Sequence, residues 1–443
     1  MRSIPLAPLV ASLLACTATP TPAGEAKSEG EATPGETKPD RTKPGETKDD
    51  APQPDAAPFV EPARTHLLVH AHVHDRPEAK VLALALYEPA LTSSSGSTST
   101  AASGPSVVAS RTHPAFPLSR WPGHFGSLVA HDGGTRYVVA QGAGEAWSLE
   151  AWSLEGSSPS ASASLGKAEP AAALLVGDDV LIGQGGAVTW VDLAAPAAAV
   201  PLRERTDMFG KAYDVFLRSG GWVIAVDDVV SPIYADGFRL GAAKPEHVQD
   251  FVLPSAINGS YYAGTMVARG PADATLYLLL GYGIMDGHGH DLSALPIRAG
   301  KLAVPEGVIL NSSARTDPPV LEEHVDRGSG LPETLAFGDV YSEWTQIAHA
   351  PAVAGGAPRL LISAVERGLL ELPVDFGPTT KAKAIDVGGK ALDVIVIGGR
   401  VYVLVEVSEP LVRSELVELA LLPEGATVER RTALPEVYHR FVR

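Results

Sequence analysis

Val394-Ile395-Val396-Ile397-Gly398-Gly399-Arg400-Val401-Tyr402-Val403-Leu404-Val405-Glu406-Val407 is the stretch on which the fold turns. Two runs rich in β-branched residues flank a Gly-Gly pair that tolerates positive φ, which is the signature of a β-hairpin. The same unit recurs along the chain. Residues 128–131 and 137–141 flank Asp132-Gly133-Gly134, and 173–176 and 180–183 flank Asp178-Asp179, with a third run at 188–192. Residues 213–217 and 222–226 flank Ser219-Gly220-Gly221; further runs occupy 276–280, 360–365 and 369–374.

The spacing of these turns carries the argument further. Gly133, Asp178 and Gly220 fall about 42–45 residues apart, Gly355 and Gly398 repeat the interval, and Asp273 to Gly355 spans about two of them. A four-stranded unit recurring every 40–50 residues resembles the blades of β-propeller proteins, although no family motif accompanies the period. No segment carries a sustained 3.6-residue pattern, which excludes helical solenoids. The expectation is an all-β body, residues 59–443, forming a β-propeller of about seven four-stranded blades. Six to eight are compatible with the interval, and strands from the two ends of the body would close the ring. A pair of β-sandwiches is the alternative. Residues 301–341, rich in Pro and charge, are where spacing implies a blade that the pattern draws weakly. Residues 92–106 read as a Ser/Thr/Gly-rich loop. Ala146-Trp147-Ser148-Leu149-Glu150 is duplicated at once as 151–155. One continuous strand would put Trp147 and Trp152 on opposite faces, while a bulge or turn between the copies would put them on one.

Upstream of this body the chain changes character. Met1-Arg2 is followed by a short apolar run and then Leu13-Leu14-Ala15-Cys16, whose cysteine is the only one in the protein. The run has the anatomy of a secretory signal and is too short to span a bilayer. The four residues resemble the lipobox of bacterial lipoproteins. That resemblance implies a signal peptide at 1–15, cleavage before Cys16, and fatty acyl chains such as palmitate on Cys16. Residues 17–57 contain no Val, Ile, Leu, Met, Phe, Trp or Tyr, and repeat Pro-Gly-Glu-Thr-Lys at 34–38 and 44–48. Such a segment cannot bury enough apolar surface to order itself, so 16–58 reads as a disordered tether spanning about 35–40 Å. A lone cysteine also excludes an intramolecular disulfide, leaving the core to hold the fold.

The formal charge of −17 repels phosphate backbones, so nucleic acid is not an expected partner. P-loop, nucleophile-elbow, His-Glu-x-x-His and EF-hand patterns are all missing, and no catalytic or cofactor-binding residue is assigned. Two histidine clusters are candidate metal ligands. In 65–75, His66, His70, His72 and His74 share one parity against an apolar set on the other. Residues two apart on a strand share a face, so His70, His72 and His74 could hold zinc or copper, with Asp75 as a further ligand or an acceptor behind them. The bland reading is an edge strand with a polar histidine face. Asp286-Gly287-His288-Gly289-His290-Asp291 is the second cluster. Its Asp-x-His-x-His spacing looks like the first metal-binding strand of amidohydrolases, a family that needs a (β/α) barrel this chain does not resemble; the other readings are a ligand-binding glycine loop or a polar turn. Glu322-Glu323-His324 with Asp326 reads as solvated surface.

The expected function is therefore a lipid-anchored, non-enzymatic propeller in the periplasm, on the outer membrane or at the cell surface. It would be a monomer that binds an envelope protein, peptide or glycan. The alternative is a metal-dependent propeller hydrolase or lyase, which requires His70, His72 or His74 to converge with His288, His290 or acidic side chains.

Overall fold

The computed structural model describes residues 64–72, 78–86, 105–114, 129–143, 146–205, 213, 215–226, 233–241, 244–253, 259–268, 274–284, 287–298, 301–302, 327–328, 346–366, 368–376 and 382–443. All belong to one compact unit, Pro54–Arg443. Cys16, the tether, His74 and the Glu322–Asp326 cluster lie outside the described residues.

Every regular element among them is a strand. The first sheet holds β1 (His66–His72), β2 (Glu78–Ala85) and β3 (Ser106–Pro114), and the second β4 (Val129–His131), β5 (Arg136–Ala143), β6 (Ala146–Ser153) and β7 (Ala161–Gly166). The third holds β8 (Pro170–Val176), β9 (Asp179–Gln184), β10 (Ala187–Asp192) and β11 (Val200–Glu204); the fourth β12 (Val215–Ser219), β13 (Trp222–Val226), β14 (Ile233–Arg239) and β15 (Glu246–Leu253). The fifth has β16 (Gly259–Ala268), β17 (Ala274–Ile284), β18 (Gly287–Arg298) and β19 (Lys301–Leu302), with β20 (Arg327–Gly328) also on β18. The sixth holds β21 (Ile347–Ala350), β22 (Arg359–Ser363), β23 (Leu369–Pro373) and β24 (Lys383–Ile385). The seventh holds β25 (Lys390–Ile397), β26 (Arg400–Val407), β27 (Arg413–Leu422) and β28 (Gly425–Ala433). A last strand, β29 (Arg440–Phe441), returns to the first sheet, whose order is β29-β1-β2-β3.

The first strands of successive sheets lie against one another: β4 on β8, β8 on β12, β12 on β16, β16 on β21, β21 on β25, and β25 on β29. The His131 amide then donates to the Arg443 carbonyl at 3.2 Å, joining β4 to the end of β29. The ring is closed. The body is a β-propeller, with its C-terminal strand completing the sheet begun at β1. The turns at Gly133, Asp178, Gly220, Gly355 and Gly398 all join a first strand to a second, so the interval in the sequence marks one repeated position. The blade implied within 301–341 lies almost wholly outside the described residues, which there are 301–302 and 327–328. β19 and β20 are the strands found there, and both extend the fifth sheet.

Each sheet is sandwiched between two neighbours, so both of its faces are buried and its central strands read as continuous apolar runs. In β22, Leu360 and Ile362 pack toward the fifth sheet and Leu361 toward the seventh. In β25, Val394 joins the seam with the sixth sheet, while Ile395 and Ile397 join Leu67, Leu82 and Phe441 in the seam with the first. Each such side chain contributes about 1.5–3 kcal/mol by burial. The tryptophan duplication obeys the same rule. β6 is continuous along β5, and the five-residue repeat reverses parity. Trp147 therefore packs on the second–third seam and Trp152 on the first–second.

Antiparallel alternation gives the ring two distinct faces. Turns from first to second and from third to fourth strand lie on one, here called the lower face. Turns from second to third strand, and the connections to the next sheet, lie on the upper. Since β1 is the second strand of its sheet, the chain enters it at Arg64-Thr65 on the lower face, where the Thr65 and His66 amides donate to the Gly133 carbonyl at 2.8 and 3.0 Å.

Candidate binding face

On the upper face a cleft of about 660 Å³ opens between the sixth and seventh sheets. The β22–β23 turn supplies Glu366, the connection from β24 to β25 supplies Asp386 and Lys390, and the end of β26 with its turn supplies Glu406 and Glu409. Gly389 packs tightly on the end of β26, where a Cβ would meet the Glu406 carbonyl oxygen at 2.5 Å and the Val405 side chain at 2.8 Å. Lys390 Nζ lies 2.9 Å from Glu366 and 3.5 Å from Glu406. The hydrogen bond to Glu366, with the charges of both glutamates, pushes its ammonium pKa up. Four carboxylates and one ammonium thus line the cleft, and the ammonium pairs with two of the four. Beyond Glu409, Leu411 is 77% exposed and Val412 is also exposed, so an apolar rim adjoins the acidic wall. No histidine or cysteine lines the cleft. Carboxylates and backbone polar groups suit it to ligands that donate hydrogen bonds or carry positive charge.

The strongest internal electrostatics lie away from this cleft and fasten sheets together. Asp236 on β14 is fully buried and accepts hydrogen bonds from Arg205 Nε at 2.9 Å, His247 Nε2 at 2.8 Å and the Tyr213 hydroxyl. Burial alone would push its carboxyl up; the His247 hydrogen bond and the Arg205 guanidinium outweigh this and hold it below the ordinary carboxylate value. Tyr213 is pushed up by burial and by the Asp236 charge. Because Arg205 follows β11, this group bolts the third sheet to the fourth. Asp393 on β25, also fully buried, accepts from the Phe441 amide at 2.8 Å and from Arg443 at 2.5 and 3.1 Å, which fixes the closing strand. Between the first two sheets, His113 Nε2 and the Tyr137 hydroxyl are hydrogen-bonded at 3.0 Å. Burial and Arg111 lower His113 to about 4, and burial raises Tyr137 to about 12.

The histidine clusters stay apart. His70 and His72 sit on β1, and His288 and His290 on β18, in the first and fifth sheets, which are not neighbours in the ring. Both clusters stand at or near the upper-face ends of their strands. Among the described side chains, which do not include these four, no group of three or more His, Cys, Asp or Glu is disposed to hold a metal. Nothing among the described elements supplies the helices of a (β/α) barrel, so the amidohydrolase likeness of 286–291 ends at its spacing.

The cleft carboxylates and the two buried aspartates belong to no sequence motif. Asp236 and Asp393 had a signal: an acid within a strand-like run, as in Ala391-Leu392-Asp393-Val394-Ile395. The cleft residues come from three separate turns and had none.

No family model matches the chain, and no curated protein matches it. Among solved structures it is similar to a protein from Lactobacillus plantarum, at 10% identity and a TM-score of 0.44, over 85% of this chain and 98% of that one. It is also similar to Kuenenia stuttgartiensis hydrazine synthase, at 11% identity and a TM-score of 0.41, over 86% and 98% of the two chains. A prolyl endopeptidase structure gives 11% identity and a TM-score of 0.43, over 84% of this chain and 50% of that one. The fold assignment rests on the sheet order and its closure.

Proposed function

We propose that this protein is an envelope lipoprotein whose β-propeller body is a binding platform. Acyl chains on Cys16 hold it to a membrane, with the outer membrane or cell surface favoured, and its upper face engages an envelope protein, peptide or glycan. Propellers host binding and catalysis alike, so the fold does not decide between them and the site must. The observation that carries it is the position of the cleft relative to the chain entry. The entry at Arg64 is on the lower face, whereas the cleft with its exposed Leu411 and Val412 opens on the upper one. With entry and cleft on opposite faces of the body, the connection at Arg64 leaves the cleft open to a partner.

The test is face-resolved photo-cross-linking in intact cells, with the cross-linker placed at Glu409 on the upper face or at Ser157, in the β6–β7 turn of the lower face. A discrete adduct from position 409 and none from 157 is the expected result. Adducts from neither position, or equally from both, would overturn the reading.

A further inference from the structure

We propose that the seam between the first and second sheets is an acid-sensitive joint, at which protonation of His113 and His131 opens the ring. β4 is the innermost strand of the second sheet and β3 the outermost of the first, so His131 stands at the inner side of this seam and His113 at the outer. Both side chains are buried. Tyr137 on β5 links them. It pairs directly with His131 across the β4–β5 ladder, which puts the two side chains on one face, and its hydroxyl meets His113 Nε2 at 3.0 Å. The line His131–Tyr137–His113 thus crosses the seam, whose apolar filling includes Leu68, Val81, Val129 and Leu154.

A positive charge is poorly placed on either ring. His113 faces Arg111 from its own strand, the Tyr137 hydroxyl from β5, and Trp152 from β6, over which Arg111 stacks at 4.3 Å. Glu150 on β6 is the acid near this group, and its Oε2 accepts from Gln141 Nε2 at 2.8 Å and from Trp152 Nε1 at 3.1 Å. His131 faces Arg64 at the chain entry, His66 on β1 and Asp132 in its own turn. Its Nε2 donates to the Gly134 carbonyl at 3.0 Å, while Asp132 Oδ1 accepts from the Gly134 amide at 2.7 Å. Among the described residues, neither ring has a carboxylate as its hydrogen-bond partner. A proton on either imidazole therefore adds a buried cation near a guanidinium. Burial, helped by Arg111 at the first and by Arg64 and His66 at the second, lowers both histidines to about 4, against the opposing pull of the Gly134 carbonyl and Asp132 on His131. The third–fourth seam is built the other way: His247 meets the Asp236 carboxylate at 2.8 Å and is 25% exposed, so a proton there makes an ion pair in reach of water.

The contacts that cross the first–second seam are the ones that close the molecule. The Thr65 and His66 amides reach the Gly133 carbonyl across it, and the His131 amide reaches the Arg443 carbonyl. Opening the joint frees the chain entry and the end of the closing strand together. The body is then a closed ring near neutrality and a ring open at one seam in acid. Neither the cleft nor the lipid enters into this.

The experiment is hydrogen exchange of the full chain at pH 7.5, 6.5 and 5.5, read by mass spectrometry with fragmentation to single residues and corrected for the intrinsic pH dependence of exchange. Opening returns each histidine to its ordinary value near 6.5, so between pH 7.5 and 5.5 the open population rises about tenfold per histidine and about a hundredfold for the pair. The Thr65, His66 and His131 amides should lose protection by that factor. The Val365 and Ala391 amides, which cross the sixth–seventh seam at 3.1 and 3.0 Å, should keep theirs. His131→Gln should reduce the change to about tenfold, and His113→Gln/His131→Gln should abolish it. The two seams are compared within one wild-type molecule, so the test stands even where a variant folds poorly. Unchanged protection of the first–second amides at pH 5.5, an equal loss at Val365 and Ala391, or the full change persisting in a folded double variant would each overturn the assignment.

Discussion

Replacing Asp393 by Ala should loosen the ring where it closes. The carboxylate is fully buried and takes the Phe441 amide at 2.8 Å, the Val394 amide at 2.7 Å and two Arg443 nitrogens at 2.5 and 3.1 Å. Alanine would leave the Phe441 and Val394 amides without that acceptor, at about 1–3 kcal/mol for each buried group. Arg443 has a side chain 36% exposed and regains water, so its share is small. The total is about 2–6 kcal/mol. For the unit Pro54–Arg443, average unfolding entropies of about 2.1 cal/mol/K per residue convert this to a Tm shift of roughly 2–7 °C. Differential scanning calorimetry reads the shift, and carboxypeptidase digestion reads the release of the closing strand. Asp386→Ala, at an exposed carboxylate whose Oδ1 accepts from the Gly388 amide at 2.7 Å, is the control and should cost well under half as much. If Asp393→Ala melted within about 1 °C of wild type and gave up its C-terminus no faster, the latch would be refuted.

Three other outcomes follow from the same physics. Asp236→Ala strands the buried Arg205 guanidinium and should destabilise by about 3–5 kcal/mol in denaturant titration; a change below about 1 kcal/mol would contradict the bolt between the third and fourth sheets. Gly183→Ala should cost about 1–3 kcal/mol or more, because its Cβ would overlap the Tyr213 backbone carbonyl, and a neutral result in the same titration would show that this packing is not as described. Burial lowers His131 to about 4, whereas an unfolded histidine protonates near 6.5, so its contribution is complete above about pH 6.5 and declines as pH falls toward 4, by up to about 1.4 kcal/mol per unit. His131→Gln, which keeps a donor for the Gly134 carbonyl that His131 meets at 3.0 Å, should flatten the stability–pH curve in that window; equal slopes would refute the assignment.

Repetition made the architecture legible. A Gly- or Asp-containing turn recurs where the first strand of a blade meets the second, and sandwiching between neighbours keeps runs such as 394–397 apolar on both faces. The closing strand was another matter. Arg440-Phe441 is two residues long, held by Asp393 and by pairing to Val69 and His70, and no periodicity can register at that length. The blade suggested by the doubled interval between Asp273 and Gly355 falls within 301–341, of which 301–302 and 327–328 are the described residues. The site was less legible than the fold. Glu366, Asp386 and Glu409 look like ordinary solvated acids in the sequence, and only the ring brings their three turns together. The histidines showed the reverse. Their spacing is plain in the sequence, whereas their separation lies in the ring, which puts His70 and His72 in the first sheet and His288 and His290 in the fifth.

The proposed attachment of the propeller to a membrane through Cys16 is tested most directly by the mass of the mature N-terminal peptide. Protein extracted from the membrane fraction should begin at Cys16, with a peptide mass increased by a diacylglyceryl group and an amide-linked acyl chain, and Cys16→Ala should leave the membrane fraction altogether. An N-terminal peptide that begins elsewhere, or one that begins at Cys16 without added lipid, would contradict the account.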